Sequence, residues 1–400
     1  MKIVGIVVEY NPFHNGHLHQ IETLKSKYNP DGIIVVMSGH FVQRGEPALI
    51  DKWTRASFAL QHGVDLVIEL PTYFATSSAE GFARGAVKCL IDTGLVTHIC
   101  FGSEIDDIDA LIEISTILSN EPAEYKSALA ANLAMGHTFP KARQIALSDY
   151  LQKTDGALDF IKSSNSILGI AYLKALEYYK SSIIPILIKR EGAAYNETDI
   201  QSQSPLASAT AIRHALLTSD DRKFLYKVTP TLVANVLSDI PKLQFHTLNH
   251  YSDLIKYRLM ATDLDYLSTI KEVREGLENK LKNHLNQFET LDIYLDLLKS
   301  KRYTAGTLRR ILINMLLDIH QMDVAPNYIR VLGFTNTGQI LLKKMKKTTD
   351  VEIVTTLSKA SSRVKNNPHL LLDILATDLY NLPLKGAFGL DFLTMPIQIK

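Results

Sequence analysis

Apolar positions in the first 190 residues fall into two alternating rhythms. Short, nearly unbroken apolar runs occupy residues 2–9, 32–37, 64–70, 98–101 and 183–189. Such runs predict strands covered on both faces. Between them, stretches 16–27, 52–62, 79–93, 106–119 and 165–180 carry apolar residues at helical spacing. This alternation predicts an α/β fold: a Rossmann-like, doubly wound parallel sheet whose ligands sit beyond the C-terminal ends of its strands.

From about residue 210 the rhythm turns helical. Helices are predicted over 212–217, 225–236, 255–260, 270–285, 291–298 and 308–319, and near the end over 370–382. One late strand is predicted over 328–334. The chain therefore divides into an α/β domain, residues 1–220, and a mainly α-helical domain, residues 221–400. The polar stretch 196–210 shows no hydrophobic period and reads as a long loop of the kind that often serves as a lid.

The polar residues gather at strand ends. The first strand runs into Glu9-Tyr10-Asn11, and the second into Ser38-Gly39-His40 and then Gln43-Arg44-Gly45-Glu46. Later strands run into Glu69, into Gly102-Ser103-Glu104, and into Arg190. In a parallel sheet these groups converge on one edge.

Composition adds little to this picture, and charge adds more. A chain of 400 residues with 46% hydrophobic and 21% charged content is ordinary for a soluble globular protein. No apolar run is long enough to span a bilayer, and the N-terminus enters a strand at once, so a cytoplasmic protein is expected. The two cysteines, Cys89 and Cys100, lie in apolar stretches and read as packed thiols. The net charge of +1 conceals an asymmetry, because residues 201–400 hold 26 Lys+Arg against 19 Asp+Glu. A basic second half points to an anionic partner.

Two local patterns carry chemistry. His14-Asn15-Gly16-His17 ends the first strand segment and opens a helix. A helix start offers free N–H groups and partial positive charge to an anion, and imidazoles can donate to phosphoryl oxygens. The same spacing also suits a metal half-site with His19, or two surface histidines. Ser208-Ala209-Thr210-Ala211-Ile212-Arg213 opens a second helix after the loop. There Ser208 can cap, and Arg213 can reach a phosphate one turn in. An ordinary cap with a solvent-facing arginine is the alternative. Together the two starts resemble the two-part grip on ATP of a large nucleotidyl-transfer superfamily.

The pair resembles the HxGH and ISSTxIR elements of HIGH-type nucleotidyltransferases, with Ala207 and Ala209 departing from the second pattern. Longer segments resemble one family more specifically, the tRNA(Met) cytidine acetate ligases. They are VVEYNPFHNGH (7–17), VVMSGHFVQRGEPALIDKWTRA (35–56), GVDLVIELP (63–71), FGSE (101–104), SNSILGIAYLKAL (164–176) and IKREGAAYN (188–196). KRYTAGTLRRILINMLL (301–317), YIRVLGF (328–334) and ATDLYNL (376–382) carry it through the second half.

The resemblance implies a two-step reaction. Acetate attacks the α-phosphate of ATP, giving acetyl-adenylate, and the N4 amine of the wobble cytidine of elongator tRNA(Met) then takes the acetyl group. It implies catalysis by His14 and His17, and a nucleotide-binding domain followed by a tRNA-binding one. It also implies ATP contacts from Val7, Val8, Glu9, Tyr10, Asn11, Pro12, Phe13, His14, Asn15, Gly16, His17, Leu18, His19 and Gln20. Gly102, Asn165, Arg190, Ser208, Thr210 and Arg213 extend the ATP set. Magnesium is expected with ATP, without a dedicated protein cage. Acetate needs a small pocket with a cation or N–H donors, for which Gln43, Arg44 and Lys52 after the second strand are candidates; Arg44 and Lys52 could equally bind phosphate or RNA. Lys299, Lys301, Arg302 and Tyr303 with Arg309 and Arg310 put cations beside an aromatic ring, as an RNA loop requires. A small-molecule adenylyltransferase and a non-catalytic RNA-binding protein are the competing readings.

Overall fold

A computed structural model describes residues 1–152, 158–190, 205–274, 276–300, 303–322 and 326–400. The strands, in chain order, are β1 (Ile3–Val8), β2 (Gly32–Ser38), β3 (Phe41–Val42), β4 (Glu46–Pro47), β5 (Leu66–Leu70), β6 (His98–Ser103), β7 (Ile184–Lys189), β8 (Tyr328–Thr335), β9 (Glu352–Val354) and β10 (Ile397–Ile399). One sheet runs β10-β8-β5-β2-β1-β6-β7, with β9 also paired to β8, and β3 and β4 form a separate hairpin. The five strands β5, β2, β1, β6 and β7 are parallel neighbours. β1 is central, and the chain first winds outward through β2 and β5, then returns to lay β6 and β7 on the other side. The reversal between β1 and β6 is the topological switch point, where a crevice must open.

Alternation along the buried strands feeds two cores. Ile34 and Val36 of β2 pack on one face with the helices Ala79–Asp92 and Ser164–Tyr178. Ile33, Val35 and Met37 pack on the other with the helices Asn15–Tyr28, Lys52–Gln61 and Ala209–Thr218. This is the period-two pattern of a strand buried on both faces.

A third core lies in the second half, built by the helices Ser252–Ala261, Leu291–Leu298, Ala305–Leu316 and Pro368–Asn381. Two predicted helices are shorter than the apolar pattern suggests. Pro230 breaks 225–236 into Leu225–Val228 and Thr231–Asp239, because the residue before a proline is pushed out of the helical region and Thr229 is extended. The stretch 270–285 is helical only from Leu277, after Gly276 takes a positive φ of 79°.

The late strand does not stay with the helical half. β8 pairs antiparallel with β5, and β10 pairs parallel with β8, so the edge of the sheet does not coincide with residue 220. Among the described residues no helix is long and apolar enough to cross a membrane. Most of the predicted loop lies outside the described residues.

Candidate active site

A cleft opens at the switch point, where ligands of such sheets bind. Its wall includes Val7, Val8, Glu9, Tyr10, Asn11, His14, His17 and Gln20 from the first turn, Gln43 and Arg44 from the hairpin, and Gly102 from β6. Asn165, Arg190, Ser208, Thr210 and Arg213 complete the predicted set. Chain segments separated by two hundred residues thus meet where the sequence places them.

His14 is the N-cap of the helix Asn15–Tyr28, with extended backbone at φ −146° and ψ 173°. Its Nδ1 accepts the Gly16 N–H at 3.1 Å, and the His14 N–H is donated to His17 Nδ1 at 3.3 Å. This is a capping box made with imidazoles. The two rings stack with centroids 3.8 Å apart. Because each Nδ1 accepts, each neutral ring carries its proton on Nε2, leaving one N–H donor per histidine. Burial, reinforced by the charges of Arg190 and Arg213, pushes His14 down to about 3. Burial, then His14 and Arg190, holds His17 well below its usual value. Both are therefore neutral hydrogen-bond donors at pH 7, rather than cations or bases.

Gly16 is required by this arrangement. A Cβ there would stand 2.9 Å from His14 Cε1 and 3.1 Å from its Nδ1. The glycine makes room for the ring that caps the helix.

The second helix start faces the first. Ser208 caps Ala209–Thr218 by accepting the Ala211 N–H at 3.0 Å. Arg213 donates to the Asn11 carbonyl at 2.7 Å and lies 3.4 Å from Thr210 Oγ1, so it ties the two motifs together. Two helix N-termini and two arginines, Arg190 and Arg213, border one cleft, and their summed field favours a polyanion. The other wall is apolar, with Phe82, Phe101, Leu168 and Tyr172 around Asn165. Asn165 Nδ2 donates to Glu104 Oε1 at 2.6 Å, which fixes the amide and leaves its oxygen as the acceptor.

Several predicted residues lie elsewhere. Pro12 and Phe13 are buried beneath the turn, and Asn15 donates to the carbonyls of Pro205 and Lys227 at 3.1 and 2.8 Å. Leu18 and His19 are off the cleft, His19 beside Thr23.

Lys52 is not in the pocket with Gln43 and Arg44. It is fully buried, donating to Glu69 at 2.7 and 2.9 Å, to Asp391 at 2.9 Å and to Thr377 at 3.2 Å. Burial opposes its charge, but the carboxylates of Asp391 and Glu69 outweigh that and raise its pKa. Its ammonium is committed to two buried carboxylates within the fold.

The predicted RNA cations are also partly committed. Arg309 pairs with Glu46 of the hairpin, Arg310 with Glu272 at 2.9 Å, and Lys299 with Asp296. Tyr303 donates its hydroxyl to the Arg274 carbonyl. Lys301 and Arg302 lie outside the described residues.

Among the described residues no group of three or more His, Cys, Asp or Glu side chains is placed to hold a metal ion. His14 and His17 form the cap of the helix Asn15–Tyr28.

The fold and the paired helix starts define a nucleotidyltransferase of the HIGH type. A family model described as HIGH Nucleotidyl Transferase matches residues 1–389, and the chain belongs to that family. Within it the chain belongs to the tRNA(Met) cytidine acetate ligases. It is 44% identical to the enzyme of that name from Clostridium perfringens (strain SM101 / Type A), over 99% of each chain. It is 42% identical to that of Thermoanaerobacter sp. (strain X514), over 100% of each. The crystal structure of apo Thermotoga maritima TmcAL superposes with a TM-score of 0.92 at 34% identity, covering 100% of both chains. The form bound with alpha-thio ATP gives 0.89 at 33% identity, covering 100% of this chain and 99% of that one.

Proposed function

We propose that this chain is a cytoplasmic ligase that activates acetate with ATP and acetylates N4 of the wobble cytidine of elongator tRNA(Met). The observation that carries the reading is the convergence of two helix N-termini, two neutral imidazole donors and two arginines on one cleft.

In the first step an acetate oxygen attacks the α-phosphorus in line with the departing pyrophosphate. Positioning and charge stabilisation dominate such a step. His14 and His17 donate Nε2–H to the α-phosphate and pyrophosphate oxygens, where charge develops. Arg190 and Arg213 neutralise the phosphate chain, and Gln43 with Arg44 receive acetate. The adenine enters the apolar wall, where the Asn165 oxygen accepts from its amino group. Magnesium, when bound, would screen the triphosphate, held by phosphate oxygens and water.

Residues 221–400, with Lys299, Lys301, Arg302, Tyr303, Arg309 and Arg310 among their cations and aromatics, would engage the tRNA. A small-molecule adenylyltransferase would use the same cleft but leave this half without a role. The test is nucleoside mass spectrometry of tRNA treated with protein, ATP and labelled acetate. Labelled N4-acetylcytidine is expected, and its absence alongside intact ATP binding would overturn the reading.

A further inference from the structure

The second step of the proposed reaction has a requirement that the phosphate grip does not meet. An aromatic amine such as N4 of cytosine has its lone pair delocalised into the ring and attacks an acyl group weakly. As its nitrogen bonds to the acetyl carbon, it must lose a proton. The histidines cannot take it, because each Nδ1 is occupied by a backbone N–H and each Nε2 carries hydrogen. The other polar side chains on the wall are amides, hydroxyls and arginines, none of which is a base at neutral pH.

One carboxylate remains among the described residues of the wall, Glu9 at the C-terminal end of β1. Its Oε1 accepts the Gln43 N–H at 2.7 Å. It therefore stands between the histidine turn and the hairpin that carries Gln43 and Arg44. Arg44, Arg213 and Arg55 are the cations around it, and Arg55 also donates to its main-chain carbonyl at 2.7 Å.

Resting on the ligase reading, we infer that Glu9 is the proton acceptor of acetyl transfer. The N4–acetyl carbon bond forms, and the bond from the acetyl carbon to the adenylate oxygen breaks. That electron pair leaves with AMP, one amine hydrogen stays on N4 and the other passes to the free oxygen of Glu9. Burial raises the Glu9 pKa against the opposing Gln43 N–H and the three arginines, which makes its carboxylate a better base than an exposed one.

The test compares Glu9→Gln with wild type in two assays. Gln is isosteric and keeps an oxygen for the Gln43 N–H. The first assay is acetate-dependent ATP–pyrophosphate exchange. In the second, protein preloaded with ATP, labelled acetate and pyrophosphatase is mixed with tRNA, and single-turnover label on cytidine is followed across pH. Transfer is expected to fall at least 100-fold and at least tenfold further than exchange, and the rise of transfer with pH is expected to disappear. Glu9→Asp should recover part of the transfer rate.

Transfer at the wild-type rate in Glu9→Gln would overturn the inference and leave the departing phosphate to take the proton. A parallel loss of both activities would overturn it too, placing Glu9 in the grip on ATP or acetate. If wild type itself shows no acetate-dependent exchange, the ligase reading fails and the step assigned to Glu9 goes with it.

Discussion

A single methyl group at residue 16 separates stability from catalysis in this cleft. In Gly16→Ala the new Cβ stands 2.9 Å from His14 Cε1 and 3.1 Å from Nδ1, so the ring must yield by several tenths of an ångström. Two effects on stability oppose each other. Alanine in place of glycine inside a helix contributes about 1 kcal/mol. Weakening the cap, in which His14 accepts the Gly16 N–H at 3.1 Å, costs about 1 kcal/mol. The melting temperature should therefore move by no more than a few degrees. Catalysis has no such offset. A displaced His14 aims its Nε2–H away from the developing charge, and loss of one such donor costs about 3–4 kcal/mol, or 100- to 1000-fold in rate. Acetate-dependent ATP–pyrophosphate exchange, run beside thermal melts, reads both quantities on one preparation. Exchange within threefold of wild type at an unchanged melting temperature would refute the role given to the His14 ring.

Other residues yield sharper contrasts. Lys52→Met should destabilise by about 3–5 kcal/mol, because it leaves Glu69 buried without its cation and Asp391 with Arg330 alone, at 3.5 Å. A selective rise in the acetate KM at wild-type stability would return Lys52 to the acetate pocket. The native state keeps His14 neutral down to about 3 while an unfolded histidine protonates near 6.5, so the unfolded chain binds more protons between those values. Stability is full above about pH 6.5 and falls on acidification, with His14 removing about 2 kcal/mol by pH 5. Denaturant melts of wild type and His14→Gln from pH 5 to 7.5 check this, and an identical pH slope in both would refute it. Glu104→Ala frees the Asn165 amide to turn, so the preference for ATP over inosine triphosphate should fall roughly tenfold. Unchanged discrimination would show that Asn165 does not read the base. Neutralising Lys301 and Arg302 should weaken tRNA binding and lower its salt slope by about two; an unaltered slope would place the RNA surface elsewhere.

Much of the sheet was legible because its strands are buried on both faces, and each reads as an apolar run whose polar neighbours mark the strand ends. The histidine turn was legible because it joins a strand to a helix, and the cleft lies where that topology puts it. Lys52 shows where such reading stops. Nothing local in DKWTRA distinguishes a lysine facing a ligand from one paired with Glu69 and with Asp391, which lies over three hundred residues away. The ion pairs of Arg309 and Arg310 are equally silent in the sequence, since their partners Glu46 and Glu272 are distant along the chain. The apolar wall carried a signal that the motifs overshadowed: Asn165, Leu168 and Tyr172 follow a helical period and share one face.

The joint between the two halves explains why they belong in one chain. Gly45 turns the β3–β4 hairpin at φ +73°, and a Cβ there would lie 2.2 Å from the Arg310 nitrogen. The hairpin tip is therefore seated directly on the helix Ala305–Leu316, and the Arg309–Glu46 pair holds its flank. Its other side reaches the cleft, where the Gln43 N–H fixes Glu9 and the Gln43 amide donates to the Ser77 carbonyl at 3.3 Å. A shift of that helix toward the hairpin would press directly on Gly45, two residues from Gln43. The helical half and the C-terminal end of β1 are thus connected through the β3–β4 hairpin, at the end of the cleft where acetate and an incoming amine would meet.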